Sequence, residues 1–187
     1  MNLRVRGRRF ALGLCLAFCA LANGPVLAQG LGLARESAVK ATFLYKFGTF
    51  VEWPAGSFRS PQSPFVIGVF GDDAVASELE QITQGRAMEG RPVAVQRVRA
   101  AEDIGNLHVL FAGGPRESRA REVLESVRGP VLTVADAPFG GRAAPVLYFR
   151  DEQGRVRFGA SLPAAQARGL RLSAKLLAVA QPVEGLQ

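Results

Sequence analysis

Three short stretches limit what this chain can fold into: FVIGVF at 65–70, HVLFA at 108–112 and VLTVA at 131–135. Each is too short for a stable helix and lacks the apolar–polar alternation of a half-exposed strand. Continuous apolar runs of this length read as strands buried on both faces. The segments between them carry helix signals. Gly71-Asp72-Asp73 turns the chain and caps a helix expected through Gln84, and Gly113-Gly114-Pro115 precedes a second expected through Val127, where Gly129-Pro130 stops it. Buried strands alternating with helices require a largely parallel sheet covered on both sides.

The remaining segments extend this frame. Residues 91–98 partly alternate, with Val93 and Val95 in step and Val98 out of it, and suggest a further strand. Residues 145–149 and 156–160 read as two strands joined by the turn at 151–154 and preceded by the loop Phe139-Gly140-Gly141-Arg142. From Ala34 to Glu52, Val39, Phe43, Phe47 and Phe50 recur at helical spacing, Leu44 and Val51 widen the stripe, and Pro54 ends it at Trp53. Residues 163–182 read as a terminal helix with Leu172, Leu176 and Val179 on one side and a break at Gly169. The expected fold is α/β: a single three-layer domain with a mostly parallel central sheet of about five to six strands, one antiparallel C-terminal hairpin, and helices on both faces.

The N-terminus reads as an export signal. Residues 1–9 hold four arginines and no acid, residues 10–22 are apolar, Asn23-Gly24-Pro25 breaks the run, and Val26-Leu27-Ala28 supplies small residues for cleavage. The apolar run falls short of the roughly 20 residues needed to span a bilayer. Arg8-Arg9 leaves export through the general or the twin-arginine route open. Removal of 1–28 leaves 29–187 as one domain, with 19 basic residues against 16 acidic ones, a net charge of +3 in place of +7. The basic character of the whole chain is thus partly that of its leader, and neither a nucleic-acid motif nor a clustered basic reading face is evident. Both cysteines, Cys15 and Cys19, lie in the leader. The remaining chain can form no internal disulfide and offers no thiolate.

Candidate chemistry is sparse. Asp72, Asp73 and Asp136 follow predicted strands, where ligands of open α/β sheets bind, but helix capping accounts for such residues equally well. A phosphoacceptor domain would need an acid where Gly113-Gly114 stands. The Gly113-Gly114-Pro115 turn presents amides to an anion or simply places Pro115 at the first helical position; no GxGxxG and no phosphate-loop lysine accompany it. His108 is the only histidine, so it cannot join a histidine metal cluster, and no serine stands in a nucleophile-elbow context. Neither a catalytic set, a metal set nor a cofactor motif emerges, and an enzyme is not expected. Arg155, Arg157, Arg168, Arg171 and Lys175 concentrate positive charge near the end of the chain, either as a solvated face or as a contact for an acidic ligand or partner.

In their order, the segments AVKATFLYKFGTFVEWP, FVIGVFGDDAVASELE, HVLFAG with VLTVAD, and GRVRFGASLPAAQARGLRLSAKLLAVA resemble the YfiR family of exported bacterial proteins. The resemblance covers most of residues 29–187. It implies a periplasmic α/β domain, often a homodimer, that negatively regulates a membrane-bound diguanylate cyclase by binding its periplasmic sensor domain, with effects on cyclic di-GMP and biofilm. It further implies an outer-membrane lipoprotein that sequesters the regulator. The disulfides used by the namesake have no counterpart here. The alternative is a periplasmic binder of a small anionic or aromatic ligand that serves a sensor or transporter. The residues expected to contact the partner or ligand are Arg157, Arg168, Leu170, Arg171 and Lys175, which combine positive charge with a glycine-interrupted backbone.

Overall fold

The computed structural model describes residues 24–181, with side chains from residue 32 onward. The chain forms two compact units, Met1–Ala34 and Arg35–Gln187. Of the first, only helical residues from Gly24 onward are described, so the charged and apolar parts of the expected export signal lie outside the described residues. Among the described residues no helix is long and apolar enough to cross a membrane.

The second unit carries the sheet. In chain order the elements are α1 (Gly24–Phe47), β1 (Val51–Glu52), β2 (Phe65–Phe70), α2 (Asp73–Thr83), β3 (Ala87–Met88), β4 (Arg91–Val98), β5 (Val109–Ala112), α3 (Glu117–Ser126), β6 (Leu132–Ala135), β7 (Leu147–Glu152), β8 (Arg155–Ala160), α4 (Leu162–Ala167), β9 (Arg171–Leu172) and α5 (Ala174–Val179). Among the described residues, seven strands form one sheet in the order β3-β4-β2-β5-β6-β7-β8. The pairs from β4 to β7 are parallel, and β3 and β8 close the two edges antiparallel.

The apolar runs behave as their continuity requires. Along β2, Phe65, Ile67 and Val69 face one core with Ala41, Leu44 and Phe47 of α1 and Val75 and Leu79 of α2. Phe70 faces the other, with Val98, Leu110 and the α3 residues Ala120, Val123 and Leu124. Helices thus cover both faces of the sheet. An aromatic cluster anchors α1: the Phe47 ring lies 4.9 Å from Phe158, 5.7 Å from Phe43 and 6.0 Å from Phe149.

Several expectations are corrected. The sheet has seven strands among the described residues, because β3 folds back onto β4 through the two-residue turn Glu89-Gly90, both at positive φ. The first helix ends at Phe47, and a short 3-10 turn leads into β1. There Val51 pairs with Leu172 and Glu52 with Arg171, so a distant segment captures the end of the apolar stripe. The same pairing splits the expected terminal helix into α4 and α5. Gly169, at φ 68°, lets the chain reverse between them. Pro115 precedes α3 and is not its first residue.

The chain leaves β2 through α2 toward β4 and leaves β5 through α3 toward β6, on opposite sides of the sheet. The turns after these neighbouring strands touch backbone to backbone. A Cβ on Gly71 (φ 81°) would stand 2.2 Å from the Gly113 carbonyl oxygen, and one on Gly114 (φ 84°) would stand 2.1 Å from that of Gly71. Only glycine fits either place.

Candidate partner-binding surface

The C-terminal segment is built by local capping. The Ser161 hydroxyl accepts from Ala164 N–H at 3.3 Å and starts α4. At its end the Arg168 N–H donates to the Ala165 carbonyl, and after Gly169 the Leu170 N–H returns to the same oxygen at 2.9 Å. That return buries Leu170, which is 2% exposed. Ser173 N–H donates to the Phe50 carbonyl, and the Ser173 hydroxyl caps α5 by accepting from Leu176 N–H.

These contacts separate the expected contact residues. Leu170 belongs to the core and supports the surface from beneath, a correction to its reading as a contact residue. Arg171 and Lys175 are exposed. Arg171 Nε stands 3.6 Å from Glu52 Oε2, with both side chains open to water, a pairing of little energetic weight. Arg157 lies on the β7–β8 hairpin, 3.6 Å from Glu152. Arg168 is half-buried and lines a groove of about 860 Å³. The described contacts do not join the four cations into one cluster.

The groove combines an apolar lining, chiefly Pro54, Phe139 and Pro163, with the guanidinium groups of Arg128, Arg142 and Arg168. Burial, and then the charge of Arg128, lower the pKa of Arg168 from its ordinary value. Arg128 donates to the carbonyls of Glu125 and Val127, which uses part of its hydrogen-bonding capacity without neutralising its charge. Glu125 is the one acidic residue among the described residues of the lining. Such a site favours an apolar or aromatic group that carries a negative charge. Sequence reasoning found Arg168 but missed Arg128, Arg142 and Phe139. They come from the two loops beside Gly129-Pro130 and Gly140-Gly141, whose glycines signalled turns but not their convergence.

The carboxylates at the strand ends hold the fold together. Asp72 caps α2 by accepting from Val75 N–H at 3.0 Å. Asp73 pairs with Arg97 at 2.7 Å. Asp136 pairs with Lys40 at 2.8 Å and accepts from Gly114 N–H at 3.2 Å. Burial opposes the charge on Lys40, but its hydrogen bonds to Asp136 and Glu36 outweigh that and raise its pKa. Among the described residues no group of three or more His, Cys, Asp or Glu is placed to hold a metal ion.

His108 is a structural residue. Val66 N–H donates to its Nδ1 at 3.1 Å, so Nε2 carries the proton and donates to the Ser57 carbonyl at 3.2 Å. The Phe58 ring stacks on the imidazole at 4.3 Å, and Arg91 lies 4.0 Å from the centre of the Phe58 ring. Trp53 meets Phe65 edge to face at 5.3 Å, and its buried indole N–H has no hydrogen-bond partner among the described residues.

The family model described as YfiR/HmsC-like matches residues 37–181. The match takes in every strand and all of α2 to α5. A search of curated proteins finds no match.

Proposed function

The chain belongs to the YfiR/HmsC-like family, whose members are periplasmic, non-catalytic regulatory domains, and from that premise we propose that it restrains a membrane-bound diguanylate cyclase by binding the enzyme's periplasmic sensor domain. In this reading residues 1–28 direct export and are removed, and residues 29–187 act in the periplasm, as a homodimer. An outer-membrane lipoprotein competes for the regulator and relieves the restraint.

The observation that carries a binding role is the groove beside α4. A half-buried arginine faces a second arginine beside apolar lining residues, and that combination is satisfied by an acidic, apolar segment of a partner. Regulation then follows from differential affinity. A domain that binds the inactive form of a sensor better than the active form shifts the population by no more than that difference. Cyclase output falls without any chemistry performed by the regulator.

Two charge reversals test the surface. Arg168→Glu probes the groove, and Arg171→Glu with Lys175→Glu probes the exposed face beside it. Each should leave the thermal unfolding cooperative and reduce capture of the purified sensor domain about tenfold or more. Undiminished capture by both variants, with folding intact, would place the interface elsewhere and remove this reading of the surface.

A further inference from the structure

A second cleft, of about 370 Å³, opens at the carboxyl ends of β4 and β2 and is lined by Arg97, Arg99, Arg116 and Arg119. The placement follows from the chain. Arg97 and Arg99 stand at the end of β4, while Arg116 and Arg119 lie three apart at the start of α3 and share one side of it. The contacting turns at Gly71 and Gly113 bring backbone without side chains into the lining, beside Val69, Phe70 and Val98.

The four arginines are not equivalent. Arg97 is fully engaged with α2: it reaches Asp73 Oδ1 at 2.7 Å, both Glu80 carboxylate oxygens at 3.1 Å and the Ser77 hydroxyl at 3.0 Å. It thereby holds Asp73, the acidic residue of the cleft lining. The other three lack a strong partner. Arg119 lies 3.8 Å from Glu122 with both side chains exposed. Arg99 donates its backbone N–H to Asp103 at 2.8 Å, and its charge acts on that carboxylate without a side-chain hydrogen bond to it. The Arg116 and Arg99 guanidinium groups have no hydrogen-bonded acid among the described residues, and no side chain caps α3. Like charges gathered around one concavity repel each other unless an anion joins them.

The geometry points to a binding site for a small phosphate-bearing anion, held by Arg99, Arg116 and Arg119, with Arg97 tying down the Asp73 carboxylate beside it. Guanidinium forks match the oxygens of phosphate in pairs. The carboxyl ends of parallel strands, where the connections diverge to opposite sides, are where open α/β sheets bind such groups. The volume lies at the small end of ligand pockets and suits a phosphate with a short substituent. The site stands apart from the groove beside α4 and does not depend on the identity of any protein partner.

The test titrates the purified protein with inorganic phosphate and with glycerol phosphate, in chloride buffer at constant ionic strength. Calorimetry reads binding, and amide NMR reads Gly71, Gly113 and Gly114. Saturable binding of either probe that shifts these amides is expected, with affinity unchanged in Lys46→Gln and about tenfold weaker or worse in R116Q/R119Q. Tighter binding of glycerol phosphate would identify a phosphate ester as the ligand, and equal binding would identify free phosphate. No saturable binding of either probe, or equal binding by R116Q/R119Q, overturns the site. So does binding that leaves the three glycine amides unmoved.

Discussion

Replacing His108 with alanine removes the fastening that holds the 54–64 loop to the amino ends of β2 and β5. Val66 N–H loses its acceptor and the Ser57 carbonyl loses its donor, and these two part-buried bonds are together worth about 1–2 kcal/mol. Loss of stacking on Phe58 adds about 1 kcal/mol, for a total of about 2–3 kcal/mol. Burial, the largest influence, lowers the pKa of this histidine below its ordinary value; the Ser57 contact opposes the shift and Arg91 adds to it. A proton on Nδ1 would also set a donor against the Val66 N–H. The unfolded imidazole takes its proton near pH 6.5, the folded one only at lower pH. Between those values the unfolded state holds more protons, so this contribution is full above about pH 6.5 and is lost as pH falls from there through the folded value. Urea unfolding of wild type and His108→Ala at about pH 7.5 and about pH 5.5 measures both effects. The difference between the proteins should be about 2–3 kcal/mol at the higher pH and smaller at the lower. A cost under about 1 kcal/mol, or a difference that does not change with pH, would refute the reasoning.

Three further outcomes follow from the core and the strand ends. Phe47→Ala, at 1% exposure in a cluster of four phenylalanines, should cost about 3–5 kcal/mol in urea unfolding. Lys40→Ala should cost about 2 kcal/mol, less than a fully buried pair would, because Glu36 and Asp136 both reach water; Lys40→Met should recover part of the loss by restoring packing. Gly71→Ala should destabilise by about 2 kcal/mol or more, read as a fall in the unfolding midpoint, since the new methyl meets the Gly113 carbonyl at a positive φ.

What the sequence makes legible here is what local chemistry decides. A run such as FVIGVF can satisfy its apolar side chains only between two layers, so β2, β5 and β6 could be read directly. The Asp72 cap marked the start of α2 for the same reason. Features that depend on distant pairing were hidden. Nothing near Val51 indicates that Leu172 will pair with it, and helical spacing across Phe47 and Phe50 argues for a longer helix. The basic tail was legible as charge, but its local surroundings were not. Leu170 turns inward because Leu170 N–H closes on Ala165, while Arg168 joins a groove whose other arginines stand in two earlier loops. Arg99 likewise stands on a different element from Arg116 and Arg119, and the parallel topology brings the end of β4 beside the start of α3.

The central claim is that this domain acts by restraining a cyclase, and the level of cyclic di-GMP measures that most directly. A strain lacking this chain, in a host that keeps its membrane-bound diguanylate cyclases, should contain more cyclic di-GMP than the parent. Re-expression of the wild-type chain should lower it again, and the R171E/K175E chain should not. An unchanged level in the deletion strain would contradict the account.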